Sequence, residues 1–125
     1  MDLTDPMESY RYECTSANFD MLARAISDLF PEQTRFIEEV GDTPSLSVQW
    51  VAMRFGPSAT RMTLQISFAP DALTRYAAMP PLARSRSVMV LRAYIEAALG
   101  SLEERYANGE IPPRVIALEL SDEFA

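Results

Sequence analysis

Apolar positions along this chain fall into two rhythms, one helical and one extended, and their order predicts the fold class. Phe19, Leu22, Ile26 and Leu29 are spaced three, four and three apart and so share one helical face. Thr15 or Ser16 stands where an N-cap is needed, and Pro31 ends the pattern. A short strand is expected over Thr34–Val40, followed by a turn at Gly41–Pro44. In the stretch from Leu46 to Phe55, Leu46, Val48, Trp50 and Ala52 alternate against Ser47, Gln49, Val51 and Met53. Met62, Leu64, Ile66 and Phe68 do the same against Arg61, Thr63, Gln65 and Ser67. Gly56–Thr60 between them reads as a hairpin loop, so the two long strands are expected to pair antiparallel. Trp50 shares a strand face with Leu46 and Val48 and reads as core rather than as a ligand platform.

Pro70-Asp71 opens a short helix through Tyr76 or Ala78, with Asp71 as its cap. A longer helix can begin at Pro81 and stop before Asn108-Gly109, with Val88, Leu91, Ile95, Ala98, Leu99, Leu102 and Tyr106 on one stripe. Arg114–Leu120 closes the chain as a strand that alternates Ile116, Leu118 and Leu120. The expected fold is α+β with the order α-β-β-β-α-α-β. An antiparallel sheet of three to four strands would be covered on one face by two long helices and a short one. Residues 1–14, with Asp2, Asp5, Glu8 and Glu13 around Pro6, are expected to form a partly mobile acidic arm. Residues 15–121 form the single domain and 122–125 a tail.

The 125 residues, 48% hydrophobic and 23% charged, suit one domain with a core of its own. One cysteine, Cys14, permits no intrachain disulfide, which fits a reducing compartment; its thiol reads as incidental. No signal peptide and no membrane span can be read in the chain, so a cytoplasmic protein is expected. The formal charge of −7 disfavours nucleic acid and anionic membrane as partners. All eleven bases are arginine, a composition expected of a GC-rich bacterial genome.

The missing residue types exclude more chemistry than the present ones suggest. Without histidine there is no Ser-His-Asp or Cys-His nucleophile and no HExxH zinc motif. Without lysine there is no Walker loop, Schiff base or Ser-Lys pair, and the four scattered glycines make no phosphate cradle. No cofactor and no metal site is expected. Carboxylate or magnesium-dependent catalysis remains as an alternative, but its acidic pairs are poor candidates. Glu38 and Glu39 adjoin in a strand and must point to opposite faces, while Glu103-Glu104 and Asp122-Glu123 read as solvated surface.

The α-β-β-β-α portion is similar in element order to double-stranded RNA-binding domains. The basic face that such domains use on duplex RNA is missing here, and the chain continues into a further strand.

Two features single out residues. Arg75, Arg84, Arg86 and Arg92 lie between Ala72 and Ile95 with no acid among them, a segment of +4 in a chain whose remainder then carries −11. They are candidates for an anion site near a helix N-terminus; the competing reading pairs Arg92 with Glu96 and the others with the many acids. Val90, Ala93, Ala97 and Gly100 give the long helix a small-residue back, to be covered either by the first helix or by a second copy in a homodimer. A non-catalytic binding or assembly module working through protein–protein contact is the expected function. An anion or phosphate binder using the four arginines is the alternative.

Overall fold

The computed structural model describes residues 10–52, 60–110 and 113–125. In chain order the elements are β1 (Arg11–Glu13), α1 (Ala17–Ile26) continued by a 3-10 turn (Ser27–Leu29), β2 (Arg35–Glu39), β3 (Ser45–Ala52), β4 (Thr60–Phe68), α2 (Pro70–Ala78), α3 (Pro81–Ala107) and β5 (Val115–Leu120).

The five strands form one mixed sheet in sequence order, β1-β2-β3-β4-β5. The central pairs β2–β3 and β3–β4 are antiparallel, whereas β1–β2 and β4–β5 are parallel. This corrects the expectation of an antiparallel sheet of three to four strands. The cause lies in the helices. A helix between two neighbouring strands carries the chain back to the end where the first strand began, so the second must run parallel to it. α1 makes that return between β1 and β2. α3, whose 27 residues span about 40 Å at 1.5 Å each, makes it between β4 and β5. The remaining correction is β1. Of the arm expected over 1–14, residues 1–9 fall outside the described residues, and Arg11–Glu13 is an edge strand.

Alternation puts the apolar side chains of the strands on the helix side. Phe36, Leu46, Val48, Trp50, Met62, Leu64, Ile66 and Phe68 meet Phe19, Leu22 and Ile26 of α1 and Leu91, Ile95 and Leu102 of α3, all buried. Trp50 is core, 5.2 Å from the Phe30 ring. The opposite face is polar. Gln65 donates to Glu39 and Ser45 at 2.8 Å each, and Arg35 donates to both carboxylate oxygens of Glu13.

Local signals set the helix ends. Ser16 Oγ accepts the Phe19 N–H at 3.1 Å, the N-cap expected at Thr15 or Ser16. α2 starts at Pro70 with Ala69 in the cap position and no side-chain cap, so Asp71 lies in the first turn, where its charge suits the helix dipole. Gly109, at φ 83°, takes the left-handed conformation that ends α3. Its N–H bonds the Tyr106 carbonyl and the Glu110 N–H bonds the Arg105 carbonyl, at 3.0 and 2.9 Å. The hairpin loop expected at Gly56–Thr60 lies outside the described residues except for Thr60, the first residue of β4. The tail is docked. Phe124 is buried against Phe68 and Tyr76, with ring centroids 5.1 and 5.2 Å away.

Candidate functional site

The four arginines do not converge. Successive residues of a helix turn by about 100°, so Arg84 and Arg86 project on nearly opposite sides of α3. Arg75 is occupied at the tail, donating to the Ala125 carbonyl at 2.6 Å and to Asp122 at 3.0 Å. Arg92 grips α1: its two terminal nitrogens bond both oxygens of Asp28 at 2.7 and 3.0 Å, and one also bonds the Ala25 carbonyl at 2.8 Å. That fork replaces the Arg92–Glu96 pair anticipated from the i,i+4 spacing; Glu96 contributes only through its longer-range field. The same fork holds the Asp28 carboxyl below its usual range, chiefly through the hydrogen bond and secondarily through the charge.

Arg84 has a different setting. It lines a groove of about 470 Å³ with Met21 and Ala25 of α1, Tyr76 of α2, and Pro81, Ser85, Val88 and Met89 of α3. Among the described residues no acid lines this groove. Met21 and Met89 on its rim are 50% and 65% exposed. Unbranched, polarizable thioethers of this kind adapt to varied partner shapes.

The small-residue back of α3 is uncovered. Ala93, Ala97 and Gly100 are exposed and Val90 is half-buried. A methyl group built on Gly100 would meet nothing within 4 Å. α1 does not cover this surface because it meets another side of α3, where Arg92 holds the Ala25 carbonyl and the Asp28 carboxylate. Leu82, at 69% exposure, and Met89 continue the apolar surface toward the helix N-terminus. The outer side of α3 thus carries Leu82, Met89 and the small residues alongside the exposed charges of Arg86, Glu96 and Glu104.

The acidic pairs take part in structure. Glu38 points to the helix side, where one oxygen accepts the Thr15 and Ser16 N–H groups at 2.8 Å each and the Thr15 hydroxyl at 3.2 Å. It ties β2 to the start of α1, a role that sequence spacing gave no sign of, because the partners are 22 and 23 residues away. Glu39 faces the other way, onto Gln65. Glu123 folds back on Ser121, accepting its N–H at 2.5 Å. Among the described residues no three cysteine or carboxylate side chains gather as metal ligands would. Burial pushes the half-buried Cys14 thiol up to about 11, helped by the charge of Glu38, which leaves it un-ionised at neutral pH. Among the described residues no helix is long and apolar enough to cross a membrane.

Residues 19–121 match the family described as "Protein of unknown function (DUF3022)". No curated protein and no solved structure was found to match the chain. With most of its length covered, the chain belongs to that family.

Proposed function

We propose that this DUF3022 protein is a non-catalytic assembly module whose activity is protein–protein contact through the outer surface of α3. The observation that carries the reading is the uncovered row Leu82, Met89, Ala93, Ala97 and Gly100, apolar or side-chain-free positions on a helix whose inner face is already satisfied by the core. Large side chains exposed together mark contact surfaces, and small ones let a second backbone approach closely. The composition agrees: with neither histidine nor lysine, the chain lacks the commonest proton-transfer groups. The partner we favour is a second copy, since closed two-fold dimers are the commonest soluble assemblies.

Light scattering over a concentration series tests this. The wild type should pass from 14.0 kDa toward twice that mass as concentration rises. Ala93→Glu with Ala97→Glu should stay at the lower mass while keeping native Trp50 fluorescence. A wild type that remains at the lower mass at several hundred micromolar contradicts the reading.

A second reading has one observation in its favour: Arg84 stands in an apolar groove that no acid lines among the described residues. It makes the groove a seat for a ligand with an apolar body and an anionic head. Such binding should weaken with salt and be lost in Arg84→Ala; unchanged affinity in that variant rules it out.

A further inference from the structure

The two edges of the sheet are built differently. β1 is three residues long, and both of its side chains on the open face, Arg11 and Glu13, are charged. Short, charged edges resist pairing with other strands. β5 has six residues, Val-Ile-Ala-Leu-Glu-Leu, with no proline or lysine and a single charge. Among the described residues it pairs only with β4, and none of them forms a strand on its outer edge. The carbonyls of Arg114 and Leu120 accept N–H groups of Thr63 and Ala69 on the β4 side. Backbone groups alternate along a strand, so those of Val115, Ala117 and Glu119 point outward. The tail does not cover them, because Phe124 turns back onto Phe68 and Tyr76.

The neighbouring layer is also unfinished. Leu91, Ile95 and Leu102 of α3 face the core, while Ser85, Val88 and Arg92 face α1, which packs on β1 at the far end of the sheet. The flank of α3 directed away from α1, and hence toward the β5 edge, carries Val90, Tyr94, Ala97 and Ser101. Val90 is half-buried and the other three are exposed, Tyr94 by 38%. Beneath that flank Ile116 and Leu118 of β5 are only partly buried, although both pack on the core. An open strand edge and a bare helix flank thus lie on the same side of the molecule.

We propose that two copies join β5 to β5 in antiparallel register about a two-fold axis at Ala117, making one ten-stranded sheet with the two α3 flanks in contact above the seam. The proposal rests on the assembly reading in taking a second copy as partner, and moves the contact from the row Leu82, Met89, Ala93 and Gly100 to the neighbouring flank of α3, which shares Ala97 with it. In this register Val115 lies opposite Glu119 of the second copy and Ile116 opposite Leu118, so no like charges face each other and the half-buried apolar pairs become core. Every outward N–H meets an outward carbonyl, which an identical strand about a two-fold supplies in the right alternation. The spacing also fits. With α3 placed over β4 and β5 as part of the proposal, its axis lies about 5 Å from a two-fold half a strand spacing beyond β5, so the two helices stand roughly 10 Å apart, at the packing distance of helices. Side chains as small as Ala97 and Ser101 suit that distance.

A single introduced thiol reads the geometry. Opposed residues in a hydrogen-bonded antiparallel pair have α-carbons about 5.5 Å apart, within disulfide range. Ala117→Cys, oxidised at a concentration where the wild type is dimeric, should convert most of the protein to a disulfide-linked dimer, with the wild type (carrying only Cys14) remaining uncrosslinked. Ala117→Pro removes an N–H that the β4–β5 ladder does not use; it should keep the native Trp50 signal and weaken dimerisation at least tenfold. A dimer that Ala93→Glu with Ala97→Glu dissociates, but that neither crosslinks in the Ala117→Cys variant nor responds to Ala117→Pro, overturns the β5 seam and leaves assembly through α3 standing. A wild type monomeric at every concentration overturns both.

Discussion

The last residues of the chain offer a sharp test of how the helix layer is closed. Phe124 is only 2% exposed and packs between Phe68 and Tyr76. Truncating a phenylalanine in a core costs about 3–5 kcal/mol. Here the loss is partly offset, because beyond that ring Phe124 and Ala125 are held by a turn in which both donate to the Ser121 carbonyl and by the exposed Arg75 donor on the Ala125 carbonyl. Once the ring is gone they can fray, each regaining roughly 1 kcal/mol of backbone freedom. The net expectation for Phe124→Ala is about 2 kcal/mol, equivalent to a fall in Tm of roughly 6–10 °C for a chain of this size. Trp50, the single tryptophan and buried in the core, reports unfolding in urea by its fluorescence. Asp122→Ala is the matched control. Asp122 is 97% exposed in its pair with Arg75, and exposed ion pairs are worth about 0.5 kcal/mol or less. If Phe124→Ala costs no more than Asp122→Ala, the tail is not part of the core and the reasoning fails.

Glu38→Ala leaves the Thr15 and Ser16 N–H groups without their acceptor. Urea unfolding should show a loss of about 1–2 kcal/mol, comparable to removing a helix cap, and an unchanged midpoint would deny Glu38 its tie to α1. Because the Arg92 fork lowers the folded-state pKa of Asp28, the stability it adds is present above the unfolded carboxylate value near 4 and disappears as pH falls through the lower folded value. Arg92→Met should therefore return the NMR-titrated Asp28 carboxyl toward the ordinary range and flatten the acid-side stability curve below about pH 4; an Asp28 titration identical in both proteins would contradict the fork. With its thiol at about 11, Cys14 at pH 8 is ionised to roughly one part in a thousand, so a thiol reagent should label the native protein far more slowly than the urea-unfolded chain. Equal rates would place the thiol in solvent.

The fold was legible where a side-chain pattern ran long enough to declare its period. Met62 to Phe68 alternates over a whole strand and Leu91 to Leu102 marks an inner helical stripe, and each buries the side its pattern implies. Prolines and glycines marked the breaks, down to Gly109 at the end of α3. Strand direction was not legible in the same way. Whether β5 runs with or against β4 depends on the path of the connecting helices, and no side-chain alternation records it. β1 escaped notice because three residues are too few to show alternation and two of them are charged. At the candidate site, residue types were legible and their grouping was not. The arginines crowd together in sequence, but helix geometry turns Arg84 and Arg86 apart, and Arg92 and Arg75 reach acids 64 and 47 residues away. The small-residue surface of α3 was visible because the spacing of Ala93, Ala97 and Gly100 is itself helical. The strand edge of β5, unpaired among the described residues, belongs to tertiary structure.

Residue-resolved amide hydrogen exchange, followed as the protein is concentrated, bears most directly on self-assembly through that edge. Ile116, Leu118 and Leu120 should be protected throughout by the β4 ladder, whereas Val115, Ala117 and Glu119 should gain protection only as copies associate. If those three amides exchange at the rate of an open edge at every concentration while the mass doubles, the β5 seam is wrong and the copies meet elsewhere.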